Sequence, residues 1–241
     1  MRNGFKFGSR ATWDFDMYVE KLPSQNTSAR KMETVKVPGR NGDLHFLQDA
    51  FNNYTQPYSC YFHGKLPAPA QAHAVKAWLL SSGTYRRLED TYDPEHFRLA
   101  AFNGPLSIEN ILNEYGRCTV NFDCDPRCFL KSGENVLTFT APGQIVNPTE
   151  FAALPMITVY GTAAGTVTVG RSTVTIHSID SPIILDCENQ NAYSQPGEGA
   201  PVNRNDCIKA IPFPMLKPGN NSIAFSGGIA KIEIIPRWWE L

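Results

Sequence analysis

The chain has 241 residues, including six cysteines, and its formal net charge is -1. Because positive and negative charges nearly balance, the protein has no strongly positive potential that would attract a nucleic-acid backbone or an anionic membrane surface. We therefore expect neither partner. No apolar run approaches the roughly 20 residues that a membrane helix requires, and the start, MRNGFKFGSRATW, lacks the apolar core of a secretory signal. The protein is therefore expected to fold in a cytoplasm with its cysteines reduced.

The first half of the sequence predicts strands and one helix. In ETVKVPGRNGDLHF, Asn41-Gly42 is typical of a two-residue type I′ turn, which predicts a hairpin. PAPAQAHAVKAWLLSSG begins with prolines and reaches Gly83, which is typical of a helix and its C-terminal cap. The apolar face of this helix is predicted to carry Val75, Trp78 and Leu79.

The segment RCTVNFDCDP alternates in polarity and predicts a half-buried strand that ends at Pro126. Cys118, Cys124 and Cys128 raise the question of a zinc site. Zinc ligands usually include a closely spaced pair such as Cys-x-x-Cys, which this chain lacks. An extended strand would also separate Cys118 from Cys124 by about 20 Å, too far for two ligands of one ion. We interpret these cysteines as buried thiols and predict no metal and no cofactor.

The composition changes near LKSGENVLTF, which predicts a domain boundary between residues 131 and 132. After it, MITVYGTAAGTVTVGRSTVTIHSIDSPIILDCE contains Val, Ile and Thr runs with glycine-containing turns, the pattern of antiparallel strands in a sandwich or barrel. A polar interval at 189–206 predicts a long exposed loop. The expected fold class is mainly β, with a first domain, 1–131, that contains one helix and a second domain, 132–241.

The sequence closes on Arg237, Trp238 and Trp239, for which three interpretations stay open: a sugar-stacking platform, a subunit contact, or a plug that closes a β-domain. Adjacent residues of a strand point to opposite sides. We therefore expect one tryptophan to plug the second domain and the other to lie outside, beside Arg237. That setting suits a subunit contact, where tryptophan and arginine are enriched.

Catalytic motifs are missing from the sequence. The five histidines are scattered, without a His-Glu-x-x-His pattern, and no serine has the flanking glycines of a nucleophile elbow. Any chain with 23 acidic residues offers carboxylate pairs by chance. The expectation is a protein that is not an enzyme, with no catalytic residues.

Several stretches, taken together and in order, resemble the distal tail proteins of siphophages that infect Gram-positive bacteria, and of related prophages. They are VPGRNGDL, YRRLED, VNFDCDP, NPTEFAALPMITVYGTAAGTVTVG, LDCENQNAY, PFPMLKPGNNSIAFSGG and the final IEIIPRWWEL. These stretches are spread over residues 37–241, which is most of the chain. The resemblance implies an N-terminal belt domain and a C-terminal galectin-like antiparallel β-sandwich.

The same resemblance implies a virion structural protein of the tail tip. Six copies would form a homo-hexameric ring between the tail tube protein and a tail-associated baseplate protein, with a receptor-binding protein as a further partner. An alternative function is a carbohydrate-binding module that holds host-surface glycan through the galectin-like domain. The polar residues considered for such a site are His177, Arg204 and Asn205.

Overall fold

The structure is a computed structural model that describes residues 3–63, 67–112, 115–195, 197, 199–210 and 212–241. Strands make up most of the regular structure in these ranges, and Ala68–Leu79 (α1) is their one α-helix. The chain divides into two compact units, Met1–Cys128 with Leu241, and Phe129–Glu240. The expected fold class, mainly β with two domains, is confirmed. The division falls after Cys128, whereas the sequence analysis places it after Lys131.

The first unit is an antiparallel sheet with the helix and a separate hairpin. Its strands are Phe5–Phe7 (β1), Arg10–Ala11 (β2), Met17–Val19 (β3), Arg30–Val35 (β4), Leu44–Phe51 (β5), Tyr54–His63 (β6), Arg86–Asp90 (β7), His96–Ala101 (β8), Ile108–Leu112 (β9) and Tyr115–Leu130 (β10), whose last two residues belong to the second unit. The sheet order is β2-β1-β7-β8-β10-β6-β3, and β9 also pairs with β10.

An aromatic core fills the space between this sheet and α1. Val75, Trp78 and Leu79 are buried, so the predicted apolar face of the helix is confirmed. The Trp78 ring stacks on Phe15 at 4.7 Å, and its indole N–H donates to the Phe7 carbonyl at 3.3 Å. The helix is thereby fixed to the sheet both by apolar burial and by a buried hydrogen bond.

The strands β4 and β5 form a two-stranded sheet of their own, which we call the arm. The predicted hairpin is present, but its predicted turn is wrong. The connection is the eight-residue loop 36–43, and the residues with positive φ in it are Gly39 and Gly42 rather than Asn41 and Gly42. A type I′ turn requires positive φ at both central residues, and Asn41 does not adopt it.

The second unit is an antiparallel sandwich. Its strands are Leu137–Phe139 (β11), Gly143–Asn147 (β12), Met156–Val169 (β13), Ser172–Ile176 (β14), Ile183–Asp186 (β15), Asn191–Ser194 (β16), Val202–Asn203 (β17), Ile208–Ala210 (β18), Gly219–Ile235 (β19) and Trp239–Glu240 (β20). The first half of β13 pairs with β15 and its second half with β14, while β19 pairs with β13 along both halves.

The two long strands build both layers of the sandwich. Their register shifts between Tyr160 and Gly165, so each strand can leave one layer and enter the other. Ile157 and Val159 from the first half of β13 share one core with Val167 and Val169 from its second half. The core of this unit is therefore aliphatic, in contrast to the aromatic core of the first.

Three boundaries differ from the predictions. The strand β10 continues through Pro126 to Leu130, and the missing N–H of Pro126 falls beyond the ladder with β6, which ends at Cys124. The helix ends at Leu79 instead of reaching Gly83, and Ser81 donates to the Trp78 carbonyl at 2.7 Å. The interval 189–206 is not only loop, since it contains β16 and β17.

Candidate interaction surfaces

The three residues predicted to form a plug or an interface, Arg237, Trp238 and Trp239, lie in the segment that follows β19. Arg237 adopts a φ of 59°, in the left-handed region that non-glycine residues seldom occupy. Its backbone N–H donates to the Gly133 carbonyl at 2.8 Å. The segment passes so close to Gly133 that a methyl group there would lie 2.4 Å from the backbone nitrogen of Trp238. Glycine at 133 is thus required by a close approach of two backbones.

Trp238 and Trp239 have different surroundings. Trp238 is 5% exposed and belongs to the aliphatic core of the second unit. Trp239 is half-buried, with its ring stacked on Phe151 at 4.5 Å and its indole N–H donating to the Ala152 carbonyl at 3.0 Å. The geometry is compatible with a plug, but the roles of Trp238 and Trp239 stay predictions.

The guanidinium of Arg237 contacts acidic residues of the same unit. It donates to Asp186 at 2.8 Å and lies 3.4 Å from Glu188. Burial of Asp186 alone would raise its pKa, yet hydrogen bonds from Asn189 and Arg237 outweigh that effect and hold the pKa below its usual value. Arg237 therefore stabilises the charged form of Asp186, and a subunit contact through this guanidinium would have to compete with that pair.

The cysteines considered for zinc are buried thiols in the first unit. Cys118 and Cys124 point into the aromatic core, and burial raises their pKa to about 11 and about 12. Both thiols are therefore protonated at neutral pH in the protein as it stands. In the described part of the chain, no three His, Cys, Asp or Glu side chains group as a metal ion would need.

Two of the polar residues considered for a glycan site already hold hydrogen bonds within the second unit. Arg204 donates to Ser194 at 3.0 Å and pairs with Asp180 at 3.3 Å. Asn205 accepts from the backbone of Ala192 at 2.7 Å and donates to Asn191 at 2.7 Å. These hydrogen bonds stabilise the unit itself, while His177 is exposed.

The arm of the first unit is highly exposed, and no sequence pattern marks it as a site. None of the residues 21–53 is buried. Large apolar side chains are nevertheless present on the arm and its tip: Met32, Val35, Val37, Phe46 and Leu47, with exposures of 38% to 63%. Several large apolar side chains exposed on one small hairpin make the arm a candidate interaction surface.

Among the helices in the described ranges, none is both long and apolar enough to cross a membrane. No protein-family model matches the sequence, and no curated protein matches it either.

The chain is a mainly β protein with two compact units, and this fold is shared with a phage hub protein. Its fold resembles the crystal structure of the Dit protein (gp 19.1) of SPP1, with a TM-score of 0.72, 11% identity and 99% of each chain covered. That protein is described as a paradigm of the hub adsorption apparatus in phages that infect Gram-positive bacteria. The resemblance to distal tail proteins is confirmed at the level of the fold.

Proposed function

We propose that this chain is a structural protein of a phage tail tip, and that six copies form a ring joining the tail tube to tail-associated baseplate or host-recognition proteins. The likeness to a hub protein over 99% of both chains is the observation that carries the proposal. Fold alone does not fix function, so the surfaces of the molecule have to fit the same role. The arm supplies that second line of support.

The arm has apolar side chains on both of its faces. Register pairs Met32 with Leu47 on one face, and Glu33 with Phe46 and Val35 with Leu44 on the other. An isolated two-stranded hairpin is marginally stable in water, and the large side chains of this one stay exposed. Assembly with another copy would cover them.

A ring places specific demands on its subunits. Each copy must offer two different surfaces, because a head-to-tail contact that closes on itself joins one patch to a distinct patch of the next copy. A projecting arm is such a patch, and it belongs to the first unit, which the resemblance assigns to ring formation. A role of this kind needs extended complementary surfaces and no catalytic residues.

The proposal is tested by placing charge on the arm in the double variant Phe46→Asp, Leu47→Asp. We expect it to lower the mass in light scattering toward the 26.8 kDa of one chain. The melting temperature should stay within a few degrees of the parent, because both side chains are more than half exposed.

The matched control is Val146→Asp, which charges a side chain that is 60% exposed on β12 of the second unit. It should assemble like the parent protein. If the arm variant reached the same mass as the parent protein at the same protein concentration, the ring contact proposed for the arm would be contradicted.

A further inference from the structure

We propose that a polar cleft in the first unit receives the tip of the arm, residues 36–43, from a neighbouring copy. This inference rests on the proposed ring and names the second patch that a head-to-tail contact requires. The occupant is a cationic loop of the same sequence, so the contact is a self-association site and not a site for a small ligand.

The cleft lies on the outward face of the sheet and has a volume of about 430 Å³. Its floor carries Ser59 and Thr119, which are opposite each other on β6 and β10, and Asn121 further along β10. Its sides carry Glu20 after β3 and Glu109 on β9. Hydroxyl, amide and carboxylate groups thus surround one concave space with both donors and acceptors.

Two carboxylates and one guanidinium set the charge of the cleft. Arg117 pairs with Glu20 at 2.9 Å, and its Nε–H donates to the Tyr115 hydroxyl at 3.3 Å. Glu109 stands opposite Arg117 in the ladder between β9 and β10 and is exposed. Arg117 lies next to both Glu20 and Glu109, so one positive charge faces two negative charges and the cleft keeps an excess of one negative charge.

The tip of the arm has the opposite excess. Lys36 and Arg40 are its cations and Asp43 is its one carboxylate. Gly39 and Gly42 take positive φ, which turns the loop tightly and leaves its backbone groups at the surface. The hydroxyl and amide side chains of the cleft suit those backbone N–H and C=O groups, while Glu109 suits a guanidinium or ammonium group.

The arm and the cleft are separate patches of one unit. The stem of the arm is closed by the Asn52 N–H, which donates to the Ala29 carbonyl at 2.8 Å, just before β6 begins at Tyr54. Ser59 lies five residues further, about 17 Å along that strand. This separation is what a contact between successive copies requires, since the donor and the receiving patch have to differ.

Half-buried tyrosines border the cleft on the same face of the sheet. Tyr18 and Tyr61 lie 5.6 Å apart, and Tyr61 stacks on Tyr115 at 6.0 Å, so three neighbouring strands carry one aromatic row. Tyrosine and arginine are enriched in protein interfaces. The row offers apolar contact for Val37, which is 38% exposed at the tip.

Charge reversal tests the contact with three variants: Glu109→Arg, Arg40→Glu, and both together. Each single variant places like charges together, and we expect it to weaken self-association about tenfold in light scattering across a concentration series. The double variant restores an opposite pair and should regain most of that loss. Arg171→Glu, an exposed reversal in the second unit, is the matched control and should leave association unchanged.

A photo-crosslinking residue in place of Arg40 identifies what the tip touches. Light and heavy isotope-labelled protein are mixed, so that crosslinks between copies are distinguished from crosslinks within one chain by mass. We expect crosslinks between copies, to peptides containing Ser59, Glu109 or Thr119. Crosslinks to another surface, or crosslinks within one chain, would overturn this inference. They would not contradict the proposed ring. A parent protein that neither assembles nor crosslinks contradicts the ring and the cleft together.

Discussion

At the scale of single residues, the two adjacent tryptophans separate into a core residue and a rim residue. Trp238 is packed among aliphatic side chains, whereas Trp239 is held by one ring contact and one hydrogen bond near the surface. The difference in burial sets the difference in stability that each ring contributes.

Truncation of the two rings should therefore have unequal effects. Trp238→Ala leaves a cavity in the core of the second unit and is expected to lower the free energy of unfolding by about 3–5 kcal/mol. Trp239→Ala removes the stack on Phe151 and one hydrogen bond, which together are worth about 1–3 kcal/mol. Urea unfolding followed by circular dichroism measures both, and equal losses, or a larger loss for Trp239→Ala, would contradict the burial described here.

At the scale of elements, the second unit depends on the crossing of β13 and β19. Glycines occupy both strands where they approach most closely. A methyl group on Gly165 would lie 2.3 Å from the carbonyl oxygen of Ser226, and one on Gly161 would lie 2.4 Å from that of Gly228. Neither backbone oxygen can move away as a flexible side chain would, so the crossing tolerates no side chain at these positions.

Gly165→Ala is expected to destabilise the second unit by about 1–3 kcal/mol, since the strands must separate to accept the methyl group. The matched control is Gly83→Ala, because a methyl group at Gly83 meets nothing within 4 Å and the backbone there has no positive φ. Differential scanning calorimetry of the two variants makes the comparison. A Gly165→Ala protein that melts with the parent would show that the crossing is looser than described.

The elements that the sequence predicted correctly are those fixed by local periodicity. Cys118, Val120 and Phe122 are buried as their alternation predicts, and Trp78 is buried as helical spacing predicts. The continuation of β10 past Pro126 could not be read locally, because it depends on which strands pair with β10 beyond the end of the β6 ladder. Local pattern likewise identifies a strand without stating which other strand it pairs with.

The candidate surfaces were less predictable, because local sequence pattern does not show which strands pair or which faces pack on the core. The terminal tryptophans stood out by composition, but the arm did not, because the sequence of a hairpin does not say whether its faces pack on the core. The cleft combines residues from Glu20 to Asn121, which only the order of strands in the sheet brings together. Sites assembled across a sheet in this way have no contiguous motif to recognise.

At the scale of the whole molecule, the protein combines a fold shared with a phage hub protein with an arm that leaves apolar side chains exposed on two faces. The solution mass of the purified protein, measured by light scattering across a concentration series, tests this most directly. Six chains of 26.8 kDa predict a plateau at about 161 kDa. A mass that stays at 26.8 kDa throughout, with the arm intact, would contradict the ring.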